Sequence, residues 1–253
     1  MADRHREPDY GNWVSLRLIA LNAAAASLFL GLALLWAGFL AGVALFLLAC
    51  GYFVYARRRF SPRGGDLEGR IRRLVVERVE WSGEGDALDV GCGNGALVIA
   101  FAHRFPRAHV TGIDFWGGLW EYSQRVCESN ARIEGVAARV DFRRASAARL
   151  PFPDGTFDVV VSNLVFHEVR DVTDKTLAIA EALRVLRPGG CFVFQDLFKL
   201  KRLYGPVEDL VARVRALGVA RVEFADTGTS PFIPAALRLP FMVGALGIIH
   251  GVK

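Results

Sequence analysis

The sequence predicts an α/β protein with a mostly parallel, doubly wound sheet, preceded by an apolar helical segment at the N-terminus. Three observations predict it. From residue 87 onward, short apolar runs of strand character alternate with amphipathic stretches, the pattern of successive βαβ units. One of those runs, Ala87-Leu-Asp-Val90, passes directly into a turn with glycine at 91, 93 and 95 and then into the apolar stretch 96–100. Residues 18–56 carry no charged side chain over 39 positions.

The uncharged run comes first in the chain. A mean hydropathy of +0.29 with 53% apolar residues is high for a soluble enzyme, and the excess sits here. As one helix the run extends roughly 60 Å at about 1.5 Å per residue, close to twice the ~30 Å hydrocarbon core of a bilayer. Arg4, Arg6 and Arg17 precede it, and Arg57, Arg58, Arg59 and Arg63 follow it. A transmembrane helical hairpin over about 16–56, turning near Trp36-Ala37-Gly38, keeps both basic clusters on the cytoplasmic side and sets Trp13, Tyr52 and Tyr55 at the interface. A single tilted span and an in-plane helix are the alternatives. The run far exceeds the apolar core of a cleaved signal peptide. Residues 1–63 are therefore expected to form a membrane anchor with a basic linker, and residues 64–253 a globular domain on the cytoplasmic face.

The net charge of +5 belongs mostly to that anchor. Residues 1–63 hold seven Arg against three acidic side chains, while residues 64–253 hold 24 basic against 23 acidic. The basic excess fits membrane orientation and anionic headgroups, and no nucleic-acid partner is expected. Cys50, Cys92, Cys127 and Cys191 show no metal-ligand spacing, so no metal site or disulfide framework is expected.

Phe60-Ser-Pro-Arg-Gly-Gly is a linker by its turn residues. Leu67, Ile71, Leu74, Val75 and Val79 form one stripe of a helix over 67–81, which ends in the turn Ser82-Gly-Glu-Gly-Asp86. Beyond the glycine turn the pattern predicts helices over 96–105, 119–133, 171–186 and 206–217. The strands are expected at 87–90, 109–113, 139–142, 157–161, 191–196, 221–225 and 245–252, seven in all, the last two as a hairpin. Residues 232–241 are expected to be a surface helix, too short and too interrupted by Pro234, Arg238 and Pro240 to span a membrane.

Glycine at alternate positions after a strand lets the backbone turn tightly and a ligand approach the peptide groups. The loop then aims its N–H groups and the next helix start at an electronegative, nucleotide-like ligand. Gly91-x-Gly93-x-x-Ala96 also satisfies the relaxed dinucleotide fingerprint, so the loop alone does not choose a cofactor.

Several motifs in order narrow the choice. Asp89-Val-Gly91-Cys-Gly93-Asn-Gly95, then Gly112-Ile-Asp114, Leu150-Pro-Phe-Pro-Asp-Gly-Thr-Phe-Asp158 and Leu186-Arg-Pro-Gly-Gly190 together resemble the class I S-adenosylmethionine-dependent methyltransferases over residues 67–253. The resemblance implies a Rossmann-like seven-stranded sheet with S-adenosyl-L-methionine as cofactor, here in a membrane-anchored variant. It also implies cofactor contacts from Asp89, Gly91, Cys92, Gly93 and Gly95, ribose binding by the Asp114 carboxylate, and Phe115 on the adenine face. Where the family usually has Gly-Asp-Ala this chain has Ala145-Ser146-Ala147, so adenine anchoring falls to Ser146 or the Ala147 N–H. Asn163, at the end of the fourth strand, completes the cofactor set.

At the reacting end, His167 is the candidate base, with Glu168 or another carboxylate orienting it. Trp116, Trp120 and Tyr122 offer either core packing or a hydrophobic wall. Membrane anchor and cofactor pattern together lead to an expectation of methyl transfer to a small hydrophobic or lipid-like acceptor. A non-catalytic cofactor-binding scaffold and a nicotinamide oxidoreductase remain as alternatives.

Overall fold

Runs such as Ala87–Val90 and Phe157–Val161 are mostly apolar and buried on both faces, Asp89 and Asp158 included, and only a sheet covered by helices on each side buries them so completely. The computed structural model describes residues 7–117 and 122–253. Its contacts divide the described chain into two compact units, residues 12–71 and residues 7–11 with 72–253.

In the first unit, α1 (Leu16–Leu32) starts at Ser15, whose hydroxyl accepts from the Arg17 N–H. The helix stops before Leu34–Trp36, and after a 3-10 turn at Ala37–Phe39 the chain continues as α2 (Leu40–Phe60). The break falls at the expected turn, where a Cβ on Gly38 would lie 2.4 Å from the Trp36 ring. Arg57 donates to the Val14 carbonyl, Cys50 lies on Ile19 and Phe46 on Phe29, so the two helices run antiparallel. Gly42 permits the close crossing, because a Cβ there would lie 2.1 Å from Phe29. Leu21, Leu34 and Leu48 stay exposed. The helical stretch Ala37–Phe60 is long and apolar enough to cross a membrane, whereas α1 is a shorter apolar helix of 17 residues. Of the two expected spans, one meets that length among the described residues.

The next helix, α3 (Leu67–Glu77), leads to the sheet. Its strands are β1 (Glu84–Val90), β2 (Arg107–Asp114), β3 (Val140–Arg144), β4 (Phe157–Asn163), β5 (Leu186–Asp196), β6 (Arg221–Asp226) and β7 (Gly247–Val252). They lie in the order β3-β2-β1-β4-β5-β7-β6. The first five are parallel, and β7 enters antiparallel to both β5 and β6. One face carries α4 (Ala96–Arg104) and α5 (Gln124–Ile133), packed through Phe101, Val98 and Cys127. The other carries α6 (Thr176–Arg184) and α8 (Val207–Ala216), packed through Ile179, Leu183 and Leu210, with the short α7 (Lys201–Tyr204) at the edge.

Four local expectations are corrected. Glu84–Asp86 is not a turn but the start of β1, paired with Arg107–His109 and held by Asp158, which accepts from the Asp86 N–H at 2.7 Å. Leu186 leaves the helix and begins β5, pairing with Phe157 ahead of a register shift that absorbs Arg187-Pro-Gly-Gly. Residues 232–241 form only the 3-10 turn Ala235–Leu237, which follows Pro234 at its N-cap and stops short of Pro240, where the missing N–H and the ring would break a continuing helix. The helix expected from Leu119 begins at Gln124, capped by the Ser123 hydroxyl; Leu119 and Trp120 lie outside the described residues.

Within β2, Gly112 is the contact point between strand, α4 and the glycine loop: a Cβ there would lie 2.7 Å from Val98 and 3.0 Å from Cys92. Gly112→Val is therefore expected to destabilise the protein by about 1–3 kcal/mol through overpacking. A thermal melt checks it, and an unchanged melting temperature contradicts this packing.

Candidate active site

Parallel strands bring their carboxyl ends to one edge, and the expected site residues gather there. Register sets Val90 beside Ile113 and Ser162, and Asn163 beside Gln195. The glycine loop leaves β1 with φ of 79° at Gly91, 57° at Gly93 and 83° at Gly95, a region that side-chain-bearing residues rarely adopt. Space matters as much as torsion. A Cβ on Gly91 would lie 2.1 Å from Val165, and one on Gly95 would lie 3.2 Å from the Phe142 ring. These two glycines thus serve protein packing, which spacing alone does not reveal. Gly91 and Cys92 both donate to the Ile113 carbonyl, and Cys92 is buried beneath the loop.

Asp114 is tied to that loop. Its carboxylate accepts from the Gly93 N–H at 2.9 Å through one oxygen and from the Trp116 N–H at 2.9 Å through the other. Trp116 closes the ring by donating its indole N–H to the Gly93 carbonyl at 2.8 Å. Each carboxylate oxygen keeps a second lone pair, which suits a ribose diol. Burial raises the Asp114 pKa, opposed by the backbone donors at Trp116, Gly93 and Phe115. Phe115 is 62% exposed, and Arg144 stacks 5.0 Å over its ring while donating to its carbonyl.

Asp89 is only 1% exposed, and neither carboxylate oxygen has a hydrogen-bond partner. Burial first, and the Asp114 charge second, push its pKa up to about 8, opposed by the Val98 amide and then by Arg72. The Asn163 side-chain oxygen is likewise buried without a partner. An unpartnered buried carboxylate on β1 and an unpartnered amide oxygen at the end of the neighbouring β4 are acceptors that suit a cationic amine. With the Asp114 lone pairs, the residues fit S-adenosylmethionine, whose methionine end is an ammonium and whose ribose is a diol.

Ser146 donates to the Asp171 carboxylate and accepts from the Ala148 N–H. A carboxylate, that of Asp171, thus stands beside residue 146, across 25 residues that no local motif links. Ala147 is buried beside it.

His167 and Glu168 occupy a 3-10 turn after β4, reached through Leu164 at φ 61°, a left-handed conformation rare for leucine. His167 Nδ1 lies 2.6 Å from Asp196, which is fully buried at the end of β5, and the His167 N–H donates to the same carboxylate at 3.2 Å. Glu168 stands 3.7 Å from Nε2 and is half exposed. The orienting carboxylate is therefore Asp196, which sequence reasoning passed over. Burial pulls the His167 pKa down, but the Asp196 charge and hydrogen bond outweigh it and the net shift is upward. Tyr204 lies buried near Asp196, its hydroxyl pKa raised by burial and by that charge.

Two asparagines complete the cofactor loop. The Asn130 amide on α5 donates to the Asn94 carbonyl at 2.9 Å and pairs with both backbone groups of Asp9, at 2.8 and 2.9 Å. Asn94 also donates to the Asp9 carbonyl and accepts from the Ser123 N–H. Residues 7–11 are thereby strapped over the glycine loop.

Comparison with protein families matches residues 88–194 to the methyltransferase domain. The ubiquinone/menaquinone biosynthesis C-methyltransferase UbiE of Desulfotalea psychrophila is 30% identical over 207 residues, covering 73% of this chain and 80% of that protein. The protein of the same name from Geobacter sulfurreducens is 33% identical over 179 residues, covering 69% of this chain and 66% of that protein. Among solved structures, the geranyl diphosphate C-methyltransferase of Streptomyces coelicolor A3(2), in complex with S-adenosyl-L-homocysteine, superposes with a TM-score of 0.55 at 17% identity, covering 76% of this chain and 81% of that one. That likeness concerns the fold. The nicotinamide alternative falls with these matches, since its one support was the overlap at Gly91-x-Gly93-x-x-Ala96.

A carboxyl whose folded pKa is about 8 binds its proton more tightly than in the unfolded chain. Stability of the ligand-free protein therefore falls as pH rises from about 4 to about 8. Asp89→Asn is expected to flatten that fall, by an amount on the order of a few kcal/mol, in thermal melts across the range. An identical pH profile in the variant contradicts it. Asp114→Asn is expected to weaken S-adenosylmethionine binding by about 10–100-fold, the worth of a charge-assisted hydrogen-bond pair, measured by calorimetry.

Proposed function

The chain belongs to the methyltransferase domain family and uses S-adenosylmethionine, and from that premise we propose that it methylates a small hydrophobic, quinone-like ring acceptor at a membrane surface. The observation that carries the reading is the His167–Asp196 dyad, standing at the same sheet edge as the glycine loop and Asp114. The names of the relatives, quinone-biosynthesis C-methyltransferases, support the acceptor class.

The cofactor supplies a methyl group on a sulfonium, ready for in-line displacement. The chain's own residues do the rest. Asp89 and Asn163 take the ammonium, and Asp114 takes the ribose hydroxyls. Asp171, through Ser146, serves the adenine side together with the Ala147 backbone and Phe115. A phenolic ring becomes nucleophilic at carbon once its hydroxyl proton is drawn away, and His167 is placed to draw it; after the methyl has moved to carbon the displaced ring proton leaves to solvent and the imidazolium returns its proton to the oxygen, restoring the aromatic ring. Asp196 fixes the imidazole tautomer by accepting from Nδ1, which leaves Nε2 as the acceptor. Alignment of donor and ring, more than covalent help, sets the rate.

The membrane part rests on the uncharged run, on the apolar stretch Ala37–Phe60 and on the flanking Arg clusters. Residues 1–63 are the anchor and residues 64–253 the catalytic domain, on the cytoplasmic side. This places the active site where an apolar acceptor is concentrated.

Incubation of the purified chain with membrane extract and deuteriomethyl S-adenosylmethionine is expected to yield a labelled apolar ring product by mass spectrometry. Label confined to protein or nucleic acid contradicts the acceptor class. His167→Ala is expected to lower kcat by about 10²–10⁴-fold, the usual worth of a general base, with the cofactor Kd unchanged. Activity should rise with pH through a midpoint above the ordinary imidazole value of 6.5, and Asp196→Asn should move that midpoint down. A pH profile indifferent to Asp196 removes the dyad from the mechanism.

A further inference from the structure

Two segments that the cofactor site does not use meet at the carboxyl edge of the sheet. Residues 197–205 follow β5, and residues 227–246 join β6 to β7. The Lys199 N–H donates to the Ala245 carbonyl at 3.1 Å, and its ammonium pairs with Asp226 at 2.7 Å. Beyond that pair the two segments are free of acid: neither 197–205 nor 227–253 contains a single Asp or Glu. Lys201, Arg202 and Arg238 are exposed on them.

The β6–β7 connection is built to hold one shape. Ile233, Leu237, Val243 and Leu246 are buried beneath it. Arg238 folds back to donate to the carbonyls of Ile233 at 3.1 Å and Ser230 at 3.3 Å. The Gly244 N–H closes on the Leu239 carbonyl, in a turn so tight that a Cβ at Gly244 would lie 1.9 Å from the Arg238 oxygen. That closure pushes Arg238-Leu239-Pro240-Phe241 outward. All four are exposed, Leu239 at 38% and Phe241 at 67%.

A fixed loop that buries four apolar side chains and presents two others beside Arg238, against a neighbouring segment that carries Lys201 and Arg202, has the pattern of an interfacial contact. Apolar tips enter the headgroup–acyl boundary, and cations meet anionic headgroups. We propose that Leu239 and Phe241 dip into an anionic bilayer while Lys201, Arg202 and Arg238 engage its headgroups, turning the substrate edge of the sheet toward the lipid. The proposal rests on the bilayer part of the reading above and adds which edge of the catalytic unit meets the membrane. An acceptor then moves from lipid to the site along that edge without crossing water.

The test uses the full chain, with Cys50→Ala removing the half-buried thiol and leaving only buried ones. Phe241→Cys carries an environment-sensitive fluorophore, and Leu217→Cys, at the opposite edge of the sheet, is the control. In nanodiscs of phosphatidylglycerol with spin-labelled acyl chains, quenching at residue 241 is expected to exceed that at 217 by roughly threefold or more, as for a tip at the acyl boundary. Phosphatidylcholine, or Lys201→Glu with Arg202→Glu, should bring it down toward the control. Equal quenching at both positions, or quenching indifferent to charge, overturns the proposal. So does self-quenching at 241 in lipid-free detergent, which assigns the face to a second copy of the chain. An alkaline carbonate wash separates the two membrane claims. A chain released by the wash whose residue 241 is still quenched by anionic vesicles sinks the anchor and keeps the lip, whereas a retained chain with 241 unquenched does the reverse.

Discussion

A buried carboxylate without a partner is the constraint on which this structure turns. Asp89 lies in the middle of the sheet, flanked by β2 and β4, with neither oxygen bonded. Water cannot reach it, so its negative charge is held only at the cost of desolvation, and its pKa rises to about 8. A side chain at this depth is normally apolar or paired. The unpartnered Asn163 oxygen on the neighbouring strand makes the same demand. A cationic amine answers both, and in the proposed reading S-adenosylmethionine brings it.

Around that point the fold converges on a single loop. Gly93 donates to Asp114, receives Trp116 and Cys127 on its carbonyl, and adjoins Asn94, which Asn130 and residues 7–11 clamp. Cofactor geometry is therefore coupled to α5 and to the strap at residues 7–11. The proposed acceptor end is separate. It is organised by β4 and β5, where Leu164 accepts an unfavourable φ so that His167 turns back onto Asp196.

What could be read in the sequence was what is local. The glycine turn, Asp114 at the next strand end and the alternation of apolar runs are encoded within a few residues of each other, and the seven-stranded sheet stands much as expected. Pairings across the fold were hidden. Asp196 meets His167 only because β5 lies beside β4, and Asp171 meets Ser146 only because the β4–α6 connection returns over the edge. Boundaries failed where a neighbour overruled composition. Glu84–Asp86 is turn-like in residue type yet pairs with Arg107–His109, and residues 232–241 are apolar enough for a helix that their prolines forbid. The roles of Gly91 and Gly95 were half legible, since the positive φ follows from the motif but Val165 and Phe142 come from elsewhere in the chain.

The most direct measurement is the proton balance of cofactor binding. Calorimetric titration of S-adenosylmethionine near neutral pH, in buffers of different ionisation enthalpy, should report release of a proton on binding, because the ammonium brings Asp89 into its charged form. Asp89→Asn should abolish that release and weaken binding together. Buffer-independent heats in the parent chain, with affinity unchanged in the variant, would show that the buried carboxylate is not what the cofactor answers.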